Sequence, residues 1–260
     1  VALNADTGEV WGSDGGAVMR DLAPLLRAEG LRQFDMLVLS RADAFQVAGA
    51  ARLLSMFVID AGHTGGIWRS APAPIEPCPR HRRWRWDGVD FELMAAAPPV
   101  VTAGDFTAGP AGSARGSCML RVMIGERAVL IAAALTEPET RAWAAHGAIG
   151  PATVLLAPQR RVSADWRKAI SADWIVASRR RTTVEDVARI GAWYGLEPEA
   201  VLATDRTGPL RLHLSAEGAM HWSSLLDPVR VPIWRVAREP PPDWTFPGPG
   251  SGIMPPGIRR

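Results

Sequence analysis

The sequence predicts a layered α/β protein with mixed sheets. Three observations carry that reading. Short apolar runs punctuated by turn residues form a meander in the first half, strand-like and helix-like runs alternate in the second, and no segment repeats. At 260 residues the chain can build a sizeable core, as one large domain or two small ones.

Each element has its own signal. Asp14 caps a helix whose apolar positions Val18, Leu22, Leu25 and Leu26 share a face, with Gly30 at its end. Met36 to Leu39 is a short apolar strand, Gln46 to Leu54 a helix, and Met56 to Ile59 a second strand. Residues 61–83, rich in Gly, Pro and Arg, read as a long loop. WRWDGVDFELM alternates around an Asp87-Gly88 turn and predicts a hairpin. After a loop rich in Ala, Gly and Pro over 95–116, SCMLRVMIGERAVLIAAAL predicts a second hairpin turning at Gly125-Glu126. The alternating part follows: helix from Thr136 to His146, strand TVLLA, helix from Ser163 to Ile170, strand DWIVAS, then a helix to Tyr194 opened by a Thr183–Asp186 capping box. VLATD, PLRLHL and AMHWS are short strands. From Glu239 onward seven prolines and no periodicity predict a disordered tail, so the folded domain spans 1–236 and the tail 237–260.

Composition excludes several classes. Apolar residues make up 47% of the chain and charged residues 22%, the balance of a folded globular protein. No stretch of about 18 apolar residues is present, so no segment of this sequence reads as a membrane span, and no signal peptide opens it. The start at Val1 without a run-in reads as a cut from a longer protein. A net charge of +2 does not argue for nucleic acid, but Lys168 is the only lysine, so the positive charge is arginine, suited to bidentate carboxylate or phosphate contacts. Cys78 and Cys118 form no CxxC clip and are either one disulfide or two buried thiols. No P-loop, no GxSxG and no cysteine–histidine pairing supports another hydrolase mechanism.

The order of short motifs carries more information than any one of them. DTG at 6–8, VLSRADAFQVAGA at 38–50, WRWDGVDFEL at 84–93, SCMLRV at 117–122, AVLIAAAL at 128–135, TVLLAPQRR at 153–161 and LATDRTGPLRL at 202–212 follow one another. Together, from Val1 to about Leu214, they resemble the C-terminal metallo-β-lactamase-like domain of the ComEC family of DNA internalisation proteins of natural competence. The resemblance implies a metallo-β-lactamase-like α/β/β/α sandwich, two mixed sheets flanked by helices. The resemblance also implies an N-terminal truncation, since the family carries two further strands with a DVGQGDA-like motif ahead of the position of Val1.

The resemblance also implies where a metal site would lie. The family's SHPDADH-like loop falls on Ser40, Arg41, Ala42, Asp43, Ala44, Phe45 and Gln46, where only Asp43 keeps a ligand-type side chain. The family's TGD aspartate falls at Ala134 and its PHHGS-like histidines at Gln159 and Arg160. The late GHP histidine falls within RRRTTVED, which has none. The expectation is a pseudoenzyme with no cofactor and no metal, since a hydrolytic metal needs several converging donors and an open position for water. The five histidines, His63, His81, His146, His213 and His221, lie elsewhere, with His63 and His81 in loops and no two at metal-ligand spacing. Asp43 is expected to cap the helix that follows it. An alternative keeps an active nuclease with atypical ligands, such as Asp6, Asp43 and His63.

Arginines stand where ligands are expected: Arg41, then Arg160 and Arg161, then Arg179, Arg180 and Arg181. If these loops converge, the guanidinium groups would hold a phosphodiester without activating water. Otherwise they are solvated, or pair with acids such as Asp43, Asp165 and Glu185. Trp84 and Trp86 on one strand face, inside the basic stretch 80–86, are either core or a base-stacking platform. The expected role is DNA contact or guidance beside the membrane channel part of the same parent protein, on the periplasmic side of the inner membrane. A structural domain without DNA contact is the other reading.

Overall fold

The computed structural model describes residues 2–4, 9–11, 23–28, 30–66, 68, 70–72, 74–96, 116–146, 149–158, 161–178, 182–208, 210–215, 217 and 219–224. Asp14, Val18, Leu22 and the expected tail lie outside them. The elements run β1 (Ala2–Asn4), β2 (Glu9–Trp11), α1 (Ala23–Ala28), β3 (Gln33–Leu39), α2 (Ala44–Leu54), β4 (Val58–Thr64), β5 (Ile75–Pro77), β6 (His81–Trp86), β7 (Val89–Ala95), β8 (Cys118–Ile124) and β9 (Arg127–Ile131). There follow α3 (Glu137–His146), β10 (Val154–Leu156), α4 (Ala164–Ile170), β11 (Trp174–Ala177), α5 (Val184–Tyr194), β12 (Val201–Ala203), α6 (Thr204–Thr207), β13 (Leu210–Leu214) and β14 (Met220–Ser224).

Two mixed sheets face each other. The first has the order β2-β1-β3-β4-β5, antiparallel around β1 and parallel from β3 to β5. The second has the order β12-β11-β10-β9-β8-β7-β6, antiparallel from β6 to β9 and parallel from β9 to β12. Strand alternation sorts the side chains into layers. On β3, Met36 and Val38 meet Phe91, Leu93, Cys118, Leu120 and Ile131 of the opposite sheet, while Leu37 and Leu39 pack with Leu26 of α1 and Leu53 of α2. Met94, Met119 and Leu130 turn to the far face, where Trp166, Ile170 and Ile190 of α4 and α5 cover them. Four layers result, helices–sheet–sheet–helices, the α/β/β/α arrangement expected from the sequence.

One span departs from the sequence reading, and the late strands take places that the sequence left unassigned. The span 61–83 is not one loop: β4 continues to Thr64, and β5 and the start of β6 fall inside it. β4 lasts because it is sandwiched in the sheet, hydrogen-bonded to β3 on one side and β5 on the other, so pairing overrides its Gly and His content. His63 and His81 are consequently strand residues, and His63 is only 5% exposed. VLATD is a three-residue strand followed by a helical turn, α6. PLRLHL and AMHWS join neither main sheet but form a separate two-stranded hairpin, whose Leu210, Leu212, Met220 and Trp222 pack on Val154, Trp174, Val176 and Leu202. The hairpin thereby covers the part of the second sheet beyond the first sheet's reach.

Local signals hold where they are chemical. Asp87 and Gly88 have φ of 46° and 81°, the two positive angles of a two-residue hairpin turn, and Trp86 pairs with Val89 across it. Ser163 caps α4, and the Thr183–Asp186 capping box opens α5 in both directions. Among the described residues no helix is long and apolar enough to cross a membrane.

Candidate functional site

The loop after β3 is held by its neighbours before any side chain is considered. Ala42 N–H donates to Gly65 O at 2.6 Å, and Cys118 N–H donates to Ser40 O at 2.8 Å. Gly65 is required here, since a Cβ would fall 2.2 Å from Ser40 O and 2.7 Å from Cys118 N. Cys118 is disulfide-bonded to Cys78, which follows β5, so one covalent link joins the edge of the first sheet to the middle of the second. This settles the choice left open between one bridge and two thiols.

Within the loop, the surviving acid serves the backbone. Asp43 is the N-cap of α2, and its Oδ1 accepts from Gln46 N–H at 2.9 Å. Gln46 closes the loop in return, its Oε1 accepting from Arg41 N–H at 3.0 Å. Phe45 lies in the first turn of α2. The expected cap is therefore present.

Arg41 turns inward. Its Nη2 lies 2.6 Å from Ser117 Oγ, 2.9 Å from the Ala134 carbonyl and 2.8 Å from Glu139 Oε2. Positions 41 and 134, which the resemblance aligns with ligand positions of the family, thus converge, and a guanidinium bridges them. Glu139 is the hub. Its Oε1 accepts from Ser117 N–H at 2.9 Å, and its Oε2 accepts from Thr136 N–H and Thr136 Oγ, both at 2.7 Å. The Ser117 hydroxyl, on a residue with no exposure, has one proton to share between Glu139 and the Ala134 carbonyl, 3.1 Å away. The Arg41 and Glu139 side chains are 30% and 13% exposed, so the pair is half sheltered from solvent.

These residues do not fit a hydrolytic metal. Both Glu139 oxygens already accept several hydrogen bonds, the Asp43 carboxylate caps a helix, and a fixed positive charge is paired with Glu139. A divalent cation would have to displace Arg41 against charge repulsion. Among the described residues no three His, Cys, Asp or Glu side chains are grouped as metal ligands.

The other sequence-predicted positions divide. Gln159, Arg160, Arg179, Arg180, Arg181 and Asp6 lie outside the described residues. Arg161 is exposed ahead of α4. His63 Nε2 lies 3.0 Å from Arg82 Nη1, so the imidazole accepts and is neutral there. Burial, reinforced by the Arg82 charge, holds its pKa below the ordinary histidine value. Trp84 and Trp86 are half-buried against the inter-sheet core, with Trp84 stacked on Phe91 at 5.3 Å and Arg82 over the Trp84 ring. On the opposite face of β6, Arg83 and His81 both bond Glu92. Burial pushes the Glu92 carboxyl up, but the bonds from Arg83 and His81 outweigh it and leave its pKa below the ordinary range.

Sequence reasoning missed Ser117, Thr136 and Glu139. One signal was available: Thr136-Glu-Pro-Glu139 has the spacing of a capping box, and Glu139 does return to the Thr136 N–H. Its second partner, Arg41, lies 98 residues away and leaves no local trace.

No protein-family model matches the chain. Over 134 residues it is 34% identical to "Competence protein ComA" of Neisseria gonorrhoeae, a match covering 48% of this chain but 16% of that protein. A mutant of CmlA β-hydroxylase aligns with 12% identity and a TM-score of 0.34, over 56% of this chain and 36% of that one. The chain is therefore similar to part of a competence protein, and spans a small share of that relative's length.

Proposed function

We propose that this chain is a catalytically inactive metallo-β-lactamase-like module of a ComEC-type DNA uptake protein, and that it contacts or guides DNA during natural transformation. The observation that carries the reading is the seat of Arg41. At the convergence of positions 41 and 134, a guanidinium holds the Ala134 carbonyl and the Glu139 carboxylate. The charge that a cation would supply to this corner is already supplied by a side chain, and a guanidinium generates no hydroxide from water. The match to a competence protein supports the DNA uptake context. The Cys78–Cys118 disulfide supports residence in an oxidising compartment, consistent with the periplasmic side of the inner membrane beside the channel part of the parent.

DNA contact, on this reading, falls to the arginines other than Arg41. Arg41 is engaged in the interior, which at that one position favours the architectural role over phosphate binding. Arg160, Arg161 and Arg180 remain the candidates. The test uses the purified chain with single- and double-stranded DNA, with and without Mn2+ or Zn2+. The expected result is salt-dependent binding, weakened in Arg160→Glu, Arg161→Glu and Arg180→Glu variants, and no cleavage with either metal. Metal-dependent cleavage lost in Asp43→Ala would restore the nuclease reading. Absence of DNA binding, or binding indifferent to all three charge reversals, would leave a purely structural module.

A further inference from the structure

The small hairpin β13–β14 places two histidines side by side that the sequence holds eight positions apart. Its register pairs Leu212 with Trp222, His213 with His221 and Leu214 with Met220, and Ser215 N–H closes the turn on Ala219 O at 3.0 Å. Directly opposite residues of an antiparallel pair share one face, with Cβ atoms about 4.5–5.5 Å apart. Burial identifies which face it is. Trp222 is 2% exposed and packs with Leu212 on Trp174 and Leu202, whereas His213 and His221 are both exposed. A slip of one residue would expel Trp222 from the core, so the packing that seats the indole also fixes the imidazole pair.

We propose that His213 and His221 form a binding site for a divalent transition-metal ion of the Cu2+, Ni2+ or Zn2+ type. Two imidazoles on a rigid strand pair suit these borderline ions better than Mg2+ or Ca2+, which prefer oxygen. Among the described residues no further His, Cys, Asp or Glu joins them to make a group of three, so water fills the remaining positions. The face also carries Arg211 and Ser223, the pair next but one along the ladder. The site lies on a different sheet from the Arg41–Glu139 corner and does not depend on the reading of that corner. The register, not the sequence spacing, brings the two histidines together.

The test takes the full 260-residue chain without a polyhistidine tag, stripped with chelator. NiCl2 titrated by calorimetry at neutral pH is expected to bind one equivalent. His213→Ala and His221→Ala are each expected to weaken binding by at least about tenfold, because a lost ligand costs no less than a lost outer-shell partner. In the unmodified chain, ZnCl2 should shift the side-chain resonances of His213 and His221 together and leave those of His63 in place. No binding at millimolar metal, affinity unchanged in both variants, or a shift of only one of the two imidazoles would each overturn the proposal.

Discussion

Removing Glu139 should cost far more than removing Arg41, although the two form one ion pair. In Glu139→Ala the Ser117 N–H, on a residue with no exposure, loses its acceptor, which costs about 1–3 kcal/mol for a buried orphan donor. The return bond to the Thr136 N–H at the start of α3 is lost as well, at about 1 kcal/mol for a helix cap. The ion pair itself adds little more, because the Arg41 side chain is 30% exposed and screened by solvent. The total is about 3 kcal/mol. In Arg41→Ala, by contrast, Glu139 keeps its bonds from Ser117 and Thr136, and the Ala134 carbonyl keeps the Ser117 hydroxyl within reach. That change should cost only about 1–2 kcal/mol, short of the larger penalty for orphaning a deeply buried charge. Urea unfolding of wild type, both single variants and the double variant measures each loss and their coupling, expected at about 1 kcal/mol. Coupling indistinguishable from zero, or an Arg41→Ala loss equal to that of Glu139→Ala, would refute the assignment of Glu139 as the hub.

Two further outcomes follow from the same geometry. The disulfide closes a sequence separation of 40 residues, for which chain entropy gives about 4 kcal/mol, so Cys78→Ala with Cys118→Ala should lower the urea-unfolding free energy by roughly that amount. Alkylation of the denatured, unreduced wild type should find no free thiol, and labelling of both cysteines would disprove the bridge. His63 is buried and its pKa lowered, so at mildly acidic pH the unfolded chain takes up a proton there that the folded chain refuses. Its contribution is present above about pH 6.5 and is lost as pH falls below that value, making wild type less stable at pH 5.5 than at pH 7.5. His63→Gln should flatten this slope, and an unchanged slope would show that other groups carry it.

What the sequence made legible was local chemistry. The Asp87-Gly88 turn, the Thr183–Asp186 capping box and Asp43 as an N-cap each depend on a few adjacent residues, and each is found where the pattern put it. Alternation in WRWDGVDFELM likewise announced the β6–β7 hairpin, which the structure contains. What stayed hidden was pairing. β4 carries Asp60, Gly62 and His63, a poor strand by composition, and persists because a neighbour on each side satisfies its backbone. The same holds at the two sites. Asp43 was the obvious acid, yet it serves its own helix, and Arg41 instead takes Glu139, whose capping role gave no hint of a partner across the domain. His213 and His221 are exposed residues in unremarkable strands until Leu212 and Trp222 are seated in the core. At the hairpin, hydrophobic burial fixes a register, and the register then chooses which polar side chains meet. The polar contacts of this fold are thus consequences of its packing, and their chemistry can be argued only after the layers are in place.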